Sequence, residues 1–367
     1  MNVPASLYWR TKLMQKFKPL YKSLGDLESW FLKTELQDVK IDTPVYITSL
    51  ARSGTTIITE ILSKHDNVCS HTYGDFPAVF TPYWNNWLRH RKQFLSGKKI
   101  ERAHQDRIMI NNDSADAFEE LIWMYFYPKL HQSKIANEWP IENNPDFVEY
   151  YIKHIKKHLL VKNKSRYIAK ANYNISRIKE ILKIFPDAKF IIPIRHPVNH
   201  IASLMKQHEI YKKAGQNNSR VDDQLAASGH FEFGNLRQVI NMGNSQYTEI
   251  TLDLWKKDQE TKGWAHYWQG LYDEVCQLKK QSKQLNDAIK FIKYEDLCHQ
   301  PKETIENILQ HCHLDGATFS HHLCRYEEKL SLPKYYKIAF NQNEIDEILQ
   351  ITQTVSEKFG YNKNNYN

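Results

Sequence analysis

Residue types able to grip an anion recur at two places in this chain. The first is Ala51-Arg52-Ser53-Gly54-Thr55-Thr56, which follows the apolar run from Pro44 to Thr48. Such a run reads as a buried parallel strand that stops at a short polar loop. From Ile57 to Leu62 the apolar residues then fall three and four apart, the spacing of a helix. Strand, tight loop and helix together present several backbone N–H groups at a positive helix end, where a phosphate or sulfonate can sit.

The second place is Phe190 to Ile194, another apolar strand, followed by Arg195, His196 and a helix opened by Pro197. Arg195 stands at the strand's end, where open α/β sheets bind their ligands. Ser203 comes eight residues later, about two helical turns on, so both side chains can reach one phosphate. The plainer account makes Arg195 a cap on the sheet edge and Ser203 a small packing residue. The first loop also departs from a Walker A loop, because Thr55 stands at the Lys position and Ser49 at the first Gly position. Without that Lys the grip on β and γ phosphates is lost. Arg52 and the hydroxyls suit a 5′-phosphate or phosphosulfate.

With these two motifs the chain resembles the sulfotransferases that use 3′-phosphoadenosine 5′-phosphosulfate (PAPS). The resemblance runs over about residues 44–312. It implies an α/β, P-loop-like three-layer fold, with a central, mostly parallel sheet flanked by helices. It makes PAPS the co-substrate, with no metal. Ala51, Arg52, Ser53, Gly54, Thr55 and Thr56 would bind the 5′-phosphosulfate, and Arg195 and Ser203 the 3′-phosphate. Lys170, ending the predicted strand Tyr167 to Asn172, would neutralise charge on the leaving phosphate. Tyr294-Glu295-Asp296-Leu297, with Pro301 after it, is similar to the segment that closes the sheet in this family, and Glu295 and Asp296 are read as structural partners of basic groups. Two features differ from the cytosolic small-molecule enzymes. The glycine-rich donor segment near the C-terminus is missing, and Arg52 replaces their loop Lys, as in bacterial, glycan-modifying or protein-modifying members.

The reaction needs a group to take a proton from the acceptor. Family members place a His or a carboxylate after the donor helix, and here Cys69 to Pro77 contains His71, Tyr73 and Asp75. Asp75 is preferred, because the aromatic segment from Phe76 to Trp87 would desolvate it and lift its pKa. His71 is second, and Glu119 or Glu120 a remoter choice. The rival readings are a P-loop kinase-like phosphotransferase, which needs the missing Lys, and a non-catalytic anion binder.

The chain has 367 residues, 41% of them hydrophobic, and a formal charge of +8. That fits a globular domain with an anionic partner; nucleic acid is set aside in favour of the doubly charged donor. The acceptor is read as a hydroxyl or amine of a small molecule, lipid or glycan. Five scattered cysteines without a C-x-x-C pair point to reduced thiols and a cytoplasmic setting, with neither a disulfide framework nor a zinc site. Residues 1–40 read as an amphipathic, basic helical extension, broken at Gly25-Asp26. Its apolar stripe is expected to pack on the domain, with peripheral contact to an anionic membrane as the alternative. The sulfotransferase domain is expected over 41–360, including a helical acceptor-side insertion at 76–165 and a mobile loop at 206–245. Residues 361–367 are expected to form a flexible tail.

Overall fold

The computed structural model describes residues 3–91, 100–101, 109–116, 118–131, 141–332 and 340–362. Lys92, Lys98, Lys99, Arg102 and Arg107 of the basic stretch after Trp84, and residues 363–367 of the tail, lie outside them.

Five parallel strands form the central sheet: β1 (Val45–Ile47), β2 (Val68–Cys69), β3 (Arg166–Lys170), β4 (Lys189–Ile194) and β5 (Ile289–Lys293), in the order β2-β3-β1-β4-β5. Helices cover both faces, so the strand residues are apolar on both sides. Tyr46, Tyr167, Ala169, Phe190 and Ile192 join one core, while Val45, Ile47, Ile168, Ile191 and Ile292 join the other. The three-layer α/β fold is therefore as the sequence implies. β1 is flanked by β3 and β4, with Ile47 level with Lys170 and Ile191. The loop after β1 thus emerges at the carboxyl edge, between the strands that end at Lys170 and Ile194.

Several basic residues are used inside the protein. Arg166 is buried and donates to the carbonyls of Asp42, Thr43, Cys312 and His313 at 2.6–3.0 Å. Lys157 lies 2.9 Å from Glu28, both fully covered, and Glu28 also accepts from the amide of Trp84. This pair fastens the helix Lys18–Phe31 to the long helix Pro145–Lys162.

Three expectations need correction here. Gly25 does not break the extension, which consists of the helices Ala5–Lys16, Lys18–Phe31 and Lys33–Asp38, with Gly25 inside the second. A Cβ at Gly25 would collide with the Tyr150 hydroxyl and the Phe80 carbonyl, so glycine permits a close helix approach rather than a turn. The apolar stripe of the extension does not pack on the domain. Trp9, Leu13, Leu20, Trp30 and Phe31 are 52–72% exposed, whereas Met14, Glu28 and Ser29 make the buried side. Residues 206–245, read as a loop, instead continue the helix Pro197–Asn217, form the helix Arg220–Ala227 and bury Tyr211, Val221, Leu225 and Phe233. Short helices separated by polar turns carry too little periodicity to be seen. Among the described residues no helix is long and apolar enough to cross a membrane.

Candidate active site

The loop after β1 is shaped by two left-handed residues, Arg52 (φ 69°) and Gly54 (φ 111°), before the helix Thr55–Leu62 begins. Gly54 has a second reason to be glycine: a Cβ would stand 2.7 Å from the Tyr294 ring. That ring lies in turn under the Arg195 guanidinium, 5.2 Å from its centroid. Bonds across the sheet hold the loop in place. The Thr48 amide donates to Ile191, and the Ser49 hydroxyl donates to the Pro193 carbonyl at 2.6 Å.

His200 completes the anchoring. Trp268 donates its indole N–H to His200 Nδ1 at 3.2 Å, which leaves Nε2 as the protonated nitrogen, donating to the Ala51 carbonyl at 2.8 Å. Burial lowers the His200 pKa to about 3, so the ring is neutral at physiological pH. The Ser53 hydroxyl is fully buried and meets no hydrogen-bond partner among the described residues. A buried donor left unmade costs about 1–3 kcal/mol, which suits a loop waiting for an anion's oxygen. Arg52 Nε donates to the Ser203 hydroxyl at 3.3 Å, joining the two motifs across 151 positions of sequence.

Beside this loop opens a cleft with about 690 Å³ of empty space. Its polar lining includes Arg52, Thr55, Thr56, Lys170, Asn172, His230 and Glu232, and its apolar wall Tyr173, Tyr211, Leu225 and Phe233. Lys170 Nζ lies 3.5 Å from Asp116. Asn172 donates to Glu232 at 2.8 Å, and Glu232 lies 3.5 Å from His230 Nδ1. Burial works against charge on His230, but the hydrogen bond and charge of Glu232 prevail and raise its pKa above 6.5. Burial likewise opposes charge on Glu232, yet His230 and Asn172 hold its pKa below the usual carboxylate value.

A sequence model described as the sulfotransferase family matches residues 44–238, more than half of the chain. The chain belongs to the sulfotransferase family. Its structure resembles that of sulfotransferase STF9 from Mycobacterium avium, with a TM-score of 0.53 and 14% identity, over 91% of this chain and 82% of that one. Sulfotransferase STF1 from Mycobacterium tuberculosis H37Rv aligns at a TM-score of 0.46 and 14% identity, covering 90% and 82%. At such identities what is shared is the fold. A search of curated proteins finds no match.

In this sulfotransferase Ala51, Arg52, Thr55, Thr56 and Lys170 meet at the cleft, Ser53 and Gly54 lie in the loop outside its lining, and Ser203 and Arg195 stand behind the loop, against Arg52 and Tyr294. Asp75 and His71 do not reach the cleft. Asp75 is fully buried, accepting from the Thr72 amide and hydroxyl and from Asn86, with Lys162 3.7 Å away. Burial alone would raise its pKa, but the Lys162 charge and the Thr72 amide carry it below the ordinary value, opposite to the expected lift. It closes a capping box on the turn Tyr73–Asp75. His71 faces His154 and His158 in the interior, and burial brings its pKa down to about 4.

The remoter acids are also occupied. Glu119 is buried and accepts from Tyr167, Asn174 and Trp123. Glu120 reaches the cleft, but it accepts a two-pronged pair from Arg177 at 2.7 and 2.8 Å; despite burial, that charge and His131 pull its pKa down to about 2. Glu295 is structural as expected, though its partners are the His196 amide and the Tyr361 hydroxyl rather than basic groups; Asp296 does pair with Lys293, at 3.3 Å. Sequence reading missed His230 and Glu232 because they lie in the segment taken for a loop. The Gly-His-Phe-Glu-Phe run at 229–233, with polar and aromatic residues alternating, was the available signal.

The loop geometry predicts the effect of a side chain at Gly54. Gly54→Val should lower stability by about 1 kcal/mol or more, through the left-handed backbone and the Tyr294 contact, while unfolding in urea stays cooperative. Its calorimetric affinity for adenosine 3′,5′-bisphosphate should fall at least about tenfold, the scale of one lost anion contact. Parental affinity in a folded Gly54→Val protein would remove the loop from the anion site.

Proposed function

We propose that this sulfotransferase moves the sulfuryl group of PAPS to a hydroxyl or amine of a small-molecule, lipid or glycan acceptor. The observation that carries the reading is the junction of Arg52 with Ser203, beside a helix N-terminus whose loop holds an unpartnered, buried Ser53 hydroxyl. In this reading the loop amides and Arg52 take the 5′-phosphosulfate, and Arg195 with Ser203 takes the 3′-phosphate. The same residues would not suit a nucleoside triphosphate, for which Thr55 supplies no cation.

The acceptor's oxygen or nitrogen attacks sulfur in line, and the bond from sulfur to the bridging phosphate oxygen breaks. Adenosine 3′,5′-bisphosphate leaves. Lys170 and the helix N-terminus stabilise the charge that gathers on that oxygen. His230 is proposed to take the acceptor's proton, in place of Asp75 or His71. It is 35% exposed in a cleft lining that also holds the loop, and Glu232 orients it and raises its basicity. Tyr173, Tyr211, Leu225 and Phe233 give the acceptor an apolar wall.

The N-terminal extension bears on where that acceptor comes from. Its exposed face, Trp9, Leu13, Phe17, Leu20, Leu24, Leu27 and Phe31, repeats at three and four residues and is flanked by Lys12, Lys16, Lys18 and Lys22. An apolar stripe edged by cations fits the boundary of an anionic bilayer. Tyr8 and Lys12 hold Asp223 of the helix Arg220–Ala227, the same helix that brings Leu225 into the cleft. A peripheral contact at the cytoplasmic face of a membrane would thus lie one helix away from the acceptor wall.

Three measurements test these assignments. For the donor, Arg195→Ala should weaken adenosine 3′,5′-bisphosphate by about 2 kcal/mol, a lost charge-assisted contact, and leave adenosine 5′-monophosphate nearly unchanged. Equal losses for both ligands in calorimetry count against the 3′-phosphate assignment.

For the base, His230 must be deprotonated to work, so kcat/KM should fall as pH drops through a value above 6.5, the direction of its shift. His230→Gln should lower the rate by about 10²–10⁴-fold and flatten that limb. A limb that persists in His230→Gln assigns the proton to another group.

For the membrane, the protein should co-sediment with phosphatidylserine-containing vesicles and not with pure phosphatidylcholine. Replacing Trp9, Leu13 and Leu20 by Ser should abolish this while sparing the melting temperature, since all three are exposed. Undiminished binding by the triple variant would refute the contact.

A further inference from the structure

Away from the cleft, three histidines meet in the interior. His71 follows β2, and His154 and His158 stand four residues apart, on one face of the helix Pro145–Lys162. Their exposures are 2%, 0% and 0%. Nε2 of His71 lies 3.1 Å from Nε2 of His154, and one nitrogen from each of the three rings falls within 4.8 Å of the others. The Nδ1 atoms of His71 and His154 and both nitrogens of His158 have no hydrogen-bond partner among the described residues.

Packing alone does not account for this. Each buried polar atom without a partner costs about 1–3 kcal/mol, so an interior of this kind favours apolar rings unless the nitrogens have a ligand. Two tetrahedral ligands at about 2.05 Å from one ion stand about 3.3 Å apart, close to the spacing of the two Nε2 atoms.

We propose that His71, His154 and His158 bind one divalent transition-metal ion, zinc by chemistry, as a clamp between the sheet edge at β2 and the helix Pro145–Lys162. Neutral imidazoles are the ligands zinc prefers alongside thiolates, and three of them leave one position of the tetrahedron for a water or a nearby side chain. The neighbouring ammonium groups are answered locally, Lys157 by Glu28 and Lys162 by Asp75. The ion's charge is therefore not set against unbalanced cations. The site departs from the sequence expectation of no metal: 83 positions separate His71 from His154, and the four-residue spacing of His154 and His158 is common on any helix. The His71 carbonyl also accepts from the amide of Asp116, the partner of Lys170, so the clamp backs one side of the cleft.

The test is metal uptake, which does not depend on the sulfuryl-transfer reading. Full-length protein stripped with a chelator should take up one zinc ion per chain in equilibrium dialysis, and its melting temperature should rise by several degrees. His154→Phe and His158→Phe, which keep a ring in each place, should lose that uptake. The surface variant His321→Ala/His322→Ala should keep it. Absence of stoichiometric uptake by the parent, or its persistence in both Phe variants, overturns the proposal. Should the Phe variants not fold, cobalt loading of the parent decides. Intense visible bands of tetrahedral cobalt, unchanged in the surface variant, support the buried site; weak octahedral bands overturn it.

Discussion

The hydrogen bond from His200 to the Ala51 carbonyl is the constraint on which the site depends. The loop after β1 contains two left-handed residues and a buried hydroxyl without a partner among the described residues, a local arrangement that is unfavourable by itself. It persists because its carbonyl is gripped from the helix Pro197–Asn217, its start is tied to β4 through Thr48 and Ser49, and Tyr294 packs against Gly54. The grip requires His200 to carry its proton on Nε2 and to stay neutral. Trp268 sets the first condition and burial the second. A protonated ring would lose its acceptor atom and bring positive charge into a closed core.

Charge is handled by the same logic elsewhere. The surplus of +8 suggests a surface waiting for anions, yet Arg166, Arg177 and Lys157 are sealed inside, Arg166 on backbone carbonyls, Arg177 on Glu120 and Lys157 on Glu28. Arg166 gathers carbonyls from two loops at the amino edge of the sheet. Arg177 neutralises Glu120, which would otherwise present a carboxylate to an anionic ligand in the cleft. Breaking one partner of such buried pairs costs about 3–5 kcal/mol, so these cations are committed to architecture. What lines the cleft is Arg52, Lys170 and His230, beside the helix N-terminus.

The cleft wall is built from elements distant in sequence. Lys170 and Asn172 come from the end of β3, while Leu225 lies in the helix Arg220–Ala227 and His230 and Glu232 follow it. The helix Ala5–Lys16 contacts that second element through Asp223, which physically couples the exposed apolar face to the wall of the cleft. The bonds that hold the extension, from Tyr8, Lys12, Gln15, Gly25, Glu28 and Leu36, leave its apolar stripe facing solvent.

The strand-loop-helix units and the anion loop were legible in the sequence because they are local. Gly54 needs no partner to mark a tight loop, a β-branched run marks a central parallel strand, and Arg195 at a strand's end and Ser203 on the following helix declare their spacing within one stretch of chain. The tertiary structure decided the rest. Asp75 looks like a base in order along the chain, but Thr72 and Asn86 consume its oxygens. Glu119 and Glu120 look alike, yet one ends among phenols and the other on Arg177. His230 and Glu232 sit in short helices and turns with too little periodicity to be placed, and only the closing of residues 218–233 over β3 brings them to the loop. The three buried histidines make the same point at greater range. Which groups share a pocket depends on contacts between residues far apart in the chain, and neither pattern nor propensity encodes those contacts.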